Sequence, residues 1–178
     1  MQTPWNRGYV QLYTGDGKGK TTAALGLALR AAGHGLRSYI GQFVKGRPSG
    51  EHEAVRRLGG LITIELYGSG RFLSRAQPPD PAEAARAREG LARARAAMLS
   101  GDYRIVVLDE VCVAIRLGLL SVAEVLGVIR EKPEAVELVL TGGDPPFELA
   151  EAADLVTDML CGKHYFRKGV EAREGIEE

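Results

Sequence analysis

The chain has 178 residues, 45% of them hydrophobic and 26% charged, with 23 Lys plus Arg set against 23 Asp plus Glu. That length suits one domain with a substantial core, and the even charge gives no reason to expect nucleic acid as the main partner. Residues 1–6 carry neither a basic run nor an apolar stretch, and no later segment offers about 18 uninterrupted apolar residues, so no membrane partner and a cytoplasmic location are expected.

Residues 9–14 (YVQLYT) are a β-branched and aromatic run that ends in a glycine cluster, and residues 21–32 (TTAALGLALRAA) follow with helix formers. Gly33 and Gly35 stop that helix, and residues 37–43 (RSYIGQF) read as the next strand. Strand, glycine loop, helix and strand make a βαβ unit, which implies parallel pairing and a right-handed crossover. Residues 44–53 (VKGRPSGEHE) are polar and turn-rich and predict a surface loop, with His34 and His52 at the surface. Residues 61–66 (LITIEL) predict a strand, and residues 67–81, with three Pro and two Gly, a second long loop.

Residues 81–99 have helix composition, with Asp80 as N-cap and Pro81 at the first position, and their Arg-rich face reads as solvated. Residues 104–108 (RIVVL) form a continuous apolar strand suited to a sheet centre, ending in the pair Asp109 and Glu110. Residues 121–131 predict a helix with Ser121 and Glu124 in capping-box spacing. Residues 136–141 (VELVLT) predict a strand, 146–153 a short helix and 155–160 a last strand. Cys112 and Cys161 have neither metal-site spacing nor disulfide density and read as buried free thiols.

The segment TGDGKGKTT, residues 14–22, fits the later half of the phosphate-loop pattern, with Gly19, Lys20 and Thr21 as its G-K-[ST] ending and Thr14 where the pattern has its first glycine. Gly15 and Gly17 give the backbone freedom that lets amides converge on an anion. The helix N-terminus attracts phosphate, the Lys20 ammonium balances its charge, the Thr21 hydroxyl can coordinate Mg²⁺, and Lys18 adds a second cation. Asp109 and Glu110, at the end of a buried strand, are the expected partner element facing that metal. The alternation of strands and helices then gives the fold expectation: α/β, a single doubly wound, mostly parallel sheet with helices on both faces, P-loop NTPase-like and RecA-like, one domain over residues 1–178 with a C-terminal tail at 161–178.

Four segments, TGDGKGKTTAALGLALRAAGHG, IGQFVKG, VVLDEV and the tail KHYFRKGVEAREGIEE, follow one another across most of the chain. Together they resemble the ATP:cob(I)alamin adenosyltransferases, the corrinoid adenosyltransferases that use a phosphate loop. Lys163, His164, Gly169, Val170, Ala172, Gly175 and Ile176 carry the more specific part of the likeness.

The resemblance implies transfer of the 5'-deoxyadenosyl group of ATP to the Co(I) of a reduced corrinoid, with release of triphosphate, in adenosylcobalamin biosynthesis or salvage. It implies ATP held reversed in the loop, which leaves the ribose 5' carbon exposed. Carried over by position, Gly15, Asp16, Gly17, Lys18, Gly19, Lys20, Thr21 and Thr22 bind the ATP phosphates, Lys20 and Thr21 are the catalytic pair, and Thr21, Glu110 and Asp109 hold Mg²⁺ or Mn²⁺. A reductase or flavoprotein that supplies electrons, and a second copy in a homodimer, are the implied partners.

Lys45 is open to contact with nucleotide or corrinoid or to a solvated loop position, and His164 and Tyr165 are open to a ligand or a structural role. Two departures stand out. The region of the family's aromatic pair reads YGSGRFLSRAQPP, with Tyr67 and Phe72 but no Trp, and the family's TGR is TGG here, at residues 141–143. A phosphate-loop NTPase or kinase of other specificity, or an ATP-responsive regulator without turnover, would account for the loop and the acidic strand and leave the tail unexplained.

Overall fold

The computed structural model describes residues 5–71 and 78–177. Six strands, β1 (Val10–Thr14), β2 (Ser38–Gln42), β3 (Ile62–Leu66), β4 (Ile105–Asp109), β5 (Glu137–Thr141) and β6 (Leu155–Asp158), lie in the order β3-β2-β4-β5-β1-β6. Every pairing is parallel. The helices are α1 (Lys20–Ala32), α2 (Gly50–Arg56), α3 (Pro81–Leu99), α4 (Val111–Arg116), α5 (Val122–Arg130) and α6 (Phe147–Ala152), followed by one 3₁₀ turn, Tyr165–Lys168.

Chirality decides which face each helix covers. From β1 to β2 to β3 the chain moves one way along the sheet, and from β3 through β4 and β5 to β6 it moves the other way. Right-handed crossovers therefore put α1 and α2 on one face and α3 to α6 on the other. The side chains follow: Ile105, Val107 and Val139 join Ala24, Ala28 and Ala31 of α1. Val106, Leu108, Leu138 and Leu140 join Ala87, Leu91 and Met98 of α3, Val125 of α5 and Leu149 of α6. β4, covered on both sides, is buried along its whole length.

The segment 44–53 is not all loop, because α2 begins at Gly50, where the Ser49 amide donates to Nδ1 of His52 at 3.1 Å. A histidine fills the capping place usually given to Glu or Gln, so the start was not recognisable, and its side chain is 11% exposed rather than at the surface. Helix α4 follows the acidic pair directly, and its six residues VCVAIR are too short and too uniformly apolar to show a helical period. Cys112 is buried on it, whereas Cys161 is half-buried.

Tyr67, one of the two aromatics in the long loop, is 8% exposed and packs over α3; Phe72 lies outside the described residues. The Tyr67 hydroxyl joins Tyr39 and Glu65, and its ring covers Gly90, where an added Cβ would stand 2.4 Å from Cγ of Tyr67. Gly90→Ala is thus expected to destabilise the fold by about 1–3 kcal/mol in chemical denaturation, although alanine is the better helix former.

Candidate functional site

The phosphate loop runs from the end of β1 into α1 and is pinned against the end of β6. Gly15 has φ 98°, and a Cβ there would lie 2.4 Å from the Met159 carbonyl oxygen and from Oδ1 of Asp158. The Gly17 amide donates to the Met159 carbonyl at 2.6 Å, so this one loop amide is turned to protein and not to a ligand. Asp16 also faces protein, its Oδ1 accepting from the Cys161 amide at 2.9 Å. Lys20 curls back over the loop, with Nζ 2.8 Å from the carbonyl oxygens of both Gly15 and Gly17. Of the residues assigned to phosphate, Lys18, Gly19, Lys20, Thr21 and Thr22 line a cavity of about 610 Å³; Gly15, Asp16 and Gly17 form its support.

Asp109 closes the other wall. β5 separates β1 from β4, so the contact between loop and acidic pair is made by side chains. Oδ1 of Asp109 accepts from the Thr21 hydroxyl at 2.9 Å and the Thr141 hydroxyl at 2.7 Å, while Oδ2 accepts from Nε2 of Gln42 at 3.1 Å. The Thr141 hydroxyl in turn accepts from the Glu110 amide at 2.8 Å. Burial pushes the Asp109 carboxyl above its usual range, and bonds from Thr141, Gln42 and Thr21 offset only part of that shift.

Glu110 stands in the left-handed region at φ 61°, a conformation that is costly for a residue with a side chain. Burial raises its carboxyl too, and the Asp109 charge adds to it, against Lys20 and Arg116. Two adjacent carboxylates, one buried and one half-buried, with a hydroxyl beside them, form a donor set that suits a hard divalent cation completed by phosphate oxygens and water. Among the described residues no group of three or more His, Cys, Asp or Glu is placed to hold a metal by itself.

Lys45 lines the cavity and is paired: Nζ donates to Oε1 of Glu51 at 2.6 Å and to the Ser49 hydroxyl. The turn leading into it is strained, with β-branched Val44 at φ 67°. Burial would raise the Glu51 carboxyl, but Lys45 and Ser49 outweigh it and lower it from 4.5 to about 2. An acid with a depressed folded pKa stabilises the fold above its unfolded value and loses that contribution as pH falls. In thermal unfolding, wild type is expected to exceed Glu51→Gln at neutral pH, with the difference shrinking below pH 4.5 and vanishing as pH falls through about 2.

The C-terminal tail lies over this cavity, with His164, Gly175, Ile176 and Glu177 in its lining. The TGG turn carries no arginine of its own; Arg116 of α4 reaches it, 2.9 Å from Oδ2 of Asp144. Gln42, Glu51 and Thr141 were not singled out from sequence. Gln42 and Thr141 are polar residues at the ends of otherwise buried strands, and that pattern was the available signal.

The family model for ATP:corrinoid adenosyltransferase BtuR/CobO/CobP matches residues 6–177, which include the loop, the acidic pair and the tail. The chain belongs to this adenosyltransferase family. Corrinoid adenosyltransferase of Pseudomonas aeruginosa is 35% identical over 174 residues, covering 96% of this chain and 84% of the relative. That of Escherichia coli K12 is 33% identical over 172 residues, covering 96% and 86%. Corrinoid adenosyltransferase CobA of Salmonella typhimurium is 31% identical over 177 residues, covering 99% and 88%. A solved KaiC-like protein from Pyrococcus horikoshii OT3 superposes with a TM-score of 0.54 at 18% identity, covering 85% of this chain and 72% of that one, a likeness of fold alone. No helix among the described residues is long and apolar enough to cross a membrane.

Proposed function

We propose that this chain transfers the 5'-deoxyadenosyl group of ATP to a reduced corrinoid. The Co(I) of the corrinoid, as substrate, attacks the ribose 5' carbon; the C5'–O bond breaks, triphosphate leaves with the bonding pair, and cobalt is formally oxidised to Co(III). Family membership favours this over a hydrolase, a kinase or a regulator without turnover. The observation that carries it is the Thr21 to Asp109 contact of 2.9 Å, which joins the phosphate loop and the acidic strand at one cavity.

In this reading Lys20 turns from the Gly15 and Gly17 carbonyls to the triphosphate, and Lys18 and the free loop amides add positive charge around it. Thr21, Asp109 and Glu110 would hold Mg²⁺ or Mn²⁺, which supplies charge neutralisation of the leaving triphosphate. Co(I) carries no proton to remove, so no side chain is needed as a base. The same reading includes one domain, a homodimer, a reductase that delivers electrons to the corrinoid, and a cytoplasmic location. Anaerobic incubation with ATP, Mg²⁺ and chemically reduced cobalamin tests it: the Co(I) spectrum is expected to disappear as adenosylcobalamin forms, and an unchanged corrinoid with ADP and phosphate overturns it.

A further inference from the structure

The tail begins and ends on the phosphate loop. At one end the Cys161 amide holds Asp16. At the other, Nζ of Lys18 donates to Oε1 of Glu177 at 2.8 Å, to the Ile176 carbonyl at 3.0 Å and to the Tyr165 hydroxyl at 3.2 Å. An ammonium has three donors, so the tail uses all that Lys18 offers. Glu177 also accepts from the Arg173 amide at 2.9 Å and from the Tyr165 hydroxyl, and its side chain is 19% exposed.

What holds the tail is mostly charge and not apolar burial. Phe166, Val170 and Ile176 are 73%, 37% and 55% exposed, while Gly169 and Gly175 stand at φ 78° and 74°, where glycine turns easily. A segment with few buried apolar contacts opens at low cost, and an anion can compete for the charge that anchors it.

We propose that the tail is a displaceable plug, with the Glu177 carboxylate seated on Lys18 where a phosphate group of the triphosphate chain would sit. Substrate and tail then compete for the loop, and release of triphosphate lets the tail return and clear the site. The proposal rests on the phosphate-loop reading above.

Two measurements on the full chain test it, with inorganic triphosphate as the probe. By calorimetry, Glu177→Gln is expected to bind triphosphate about two- to fivefold more tightly than wild type, the range of a partly exposed ion pair. In limited trypsin digestion, saturating triphosphate is expected to speed cleavage of wild type after Lys168 and Arg173. Unchanged or weaker binding by Glu177→Gln, or protection of these sites, overturns the plug and makes the tail a lid that closes on the ligand. A Lys20→Ala variant that binds triphosphate as wild type does overturns the phosphate-loop reading, and the plug with it.

Discussion

Lys20→Ala is expected to lower kcat for adenosyl transfer by roughly 10²- to 10³-fold, the loss typical of removing one preorganised donor to a developing charge. ATP already carries most of its negative charge when bound, and breaking the C5'–O bond adds one more on the leaving triphosphate. The Lys20 ammonium is the loop cation half-buried at the cavity floor, where solvent screens it less than it screens Lys18. The fall is therefore expected mainly in kcat, with a smaller rise in KM for ATP. Among the described residues the side chain hydrogen-bonds only the Gly15 and Gly17 carbonyls, so the melting temperature should move little. Steady-state kinetics beside a thermal melt separates the two effects, and a change confined to KM would assign Lys20 to ground-state binding alone.

Asp109→Asn is expected to split activity from stability. Turnover should fall by roughly 100-fold or more, because the neutral amide keeps the shape of the site but loses one of the two carboxylates of the proposed metal site. Stability should stay level or rise. Burial lifts the Asp109 pKa above its usual 3.8, so the folded chain binds that proton more tightly than the unfolded chain. Stability thus falls as pH rises from about 3.8 through the folded value, and at neutral pH the ionised carboxylate is a net cost that asparagine removes.

The neighbours can adapt to the change. Thr21 and Thr141 can still donate to the amide oxygen, and Oε1 of Gln42, buried without a hydrogen-bond partner among the described residues, can turn to accept from the new amide nitrogen. A melt that drops by several degrees would mean that the carboxylate is part of what holds the sheet ends together. Full activity in the same variant would remove Asp109 from the site.

Much of this was legible in the sequence because chemistry and backbone made the same demand. Gly15 and Gly17 sit where residues 158–160, at the end of β6 and just beyond it, approach within a Cβ's reach, and IVVL, residues 105–108, is apolar throughout because helices cover both its faces. The site was legible in its parts and not in its joints. Nothing in the spacing says that Thr141 bridges Asp109 to the Glu110 amide, or that Gln42 supplies the third bond, because strand order is set by long-range pairing. The same limit hid Tyr67, which reads as a loop aromatic and is buried by α3, and Lys45, whose partner Glu51 belongs to a helix started by an unusual cap. The tail could be tied to a family by its residues, but only folding shows it resting on Lys18.

In adenosyl transfer this site cuts ATP at the ribose carbon and lets the triphosphate leave whole. ATP labelled with ¹⁸O at the oxygen bridging C5' and the α-phosphorus, turned over anaerobically with reduced cobalamin, tests that directly by mass spectrometry of the products. All the label is expected to leave in intact triphosphate, one equivalent for each adenosylcobalamin formed. Label retained in ADP, with phosphate released and the corrinoid unaltered, would contradict it.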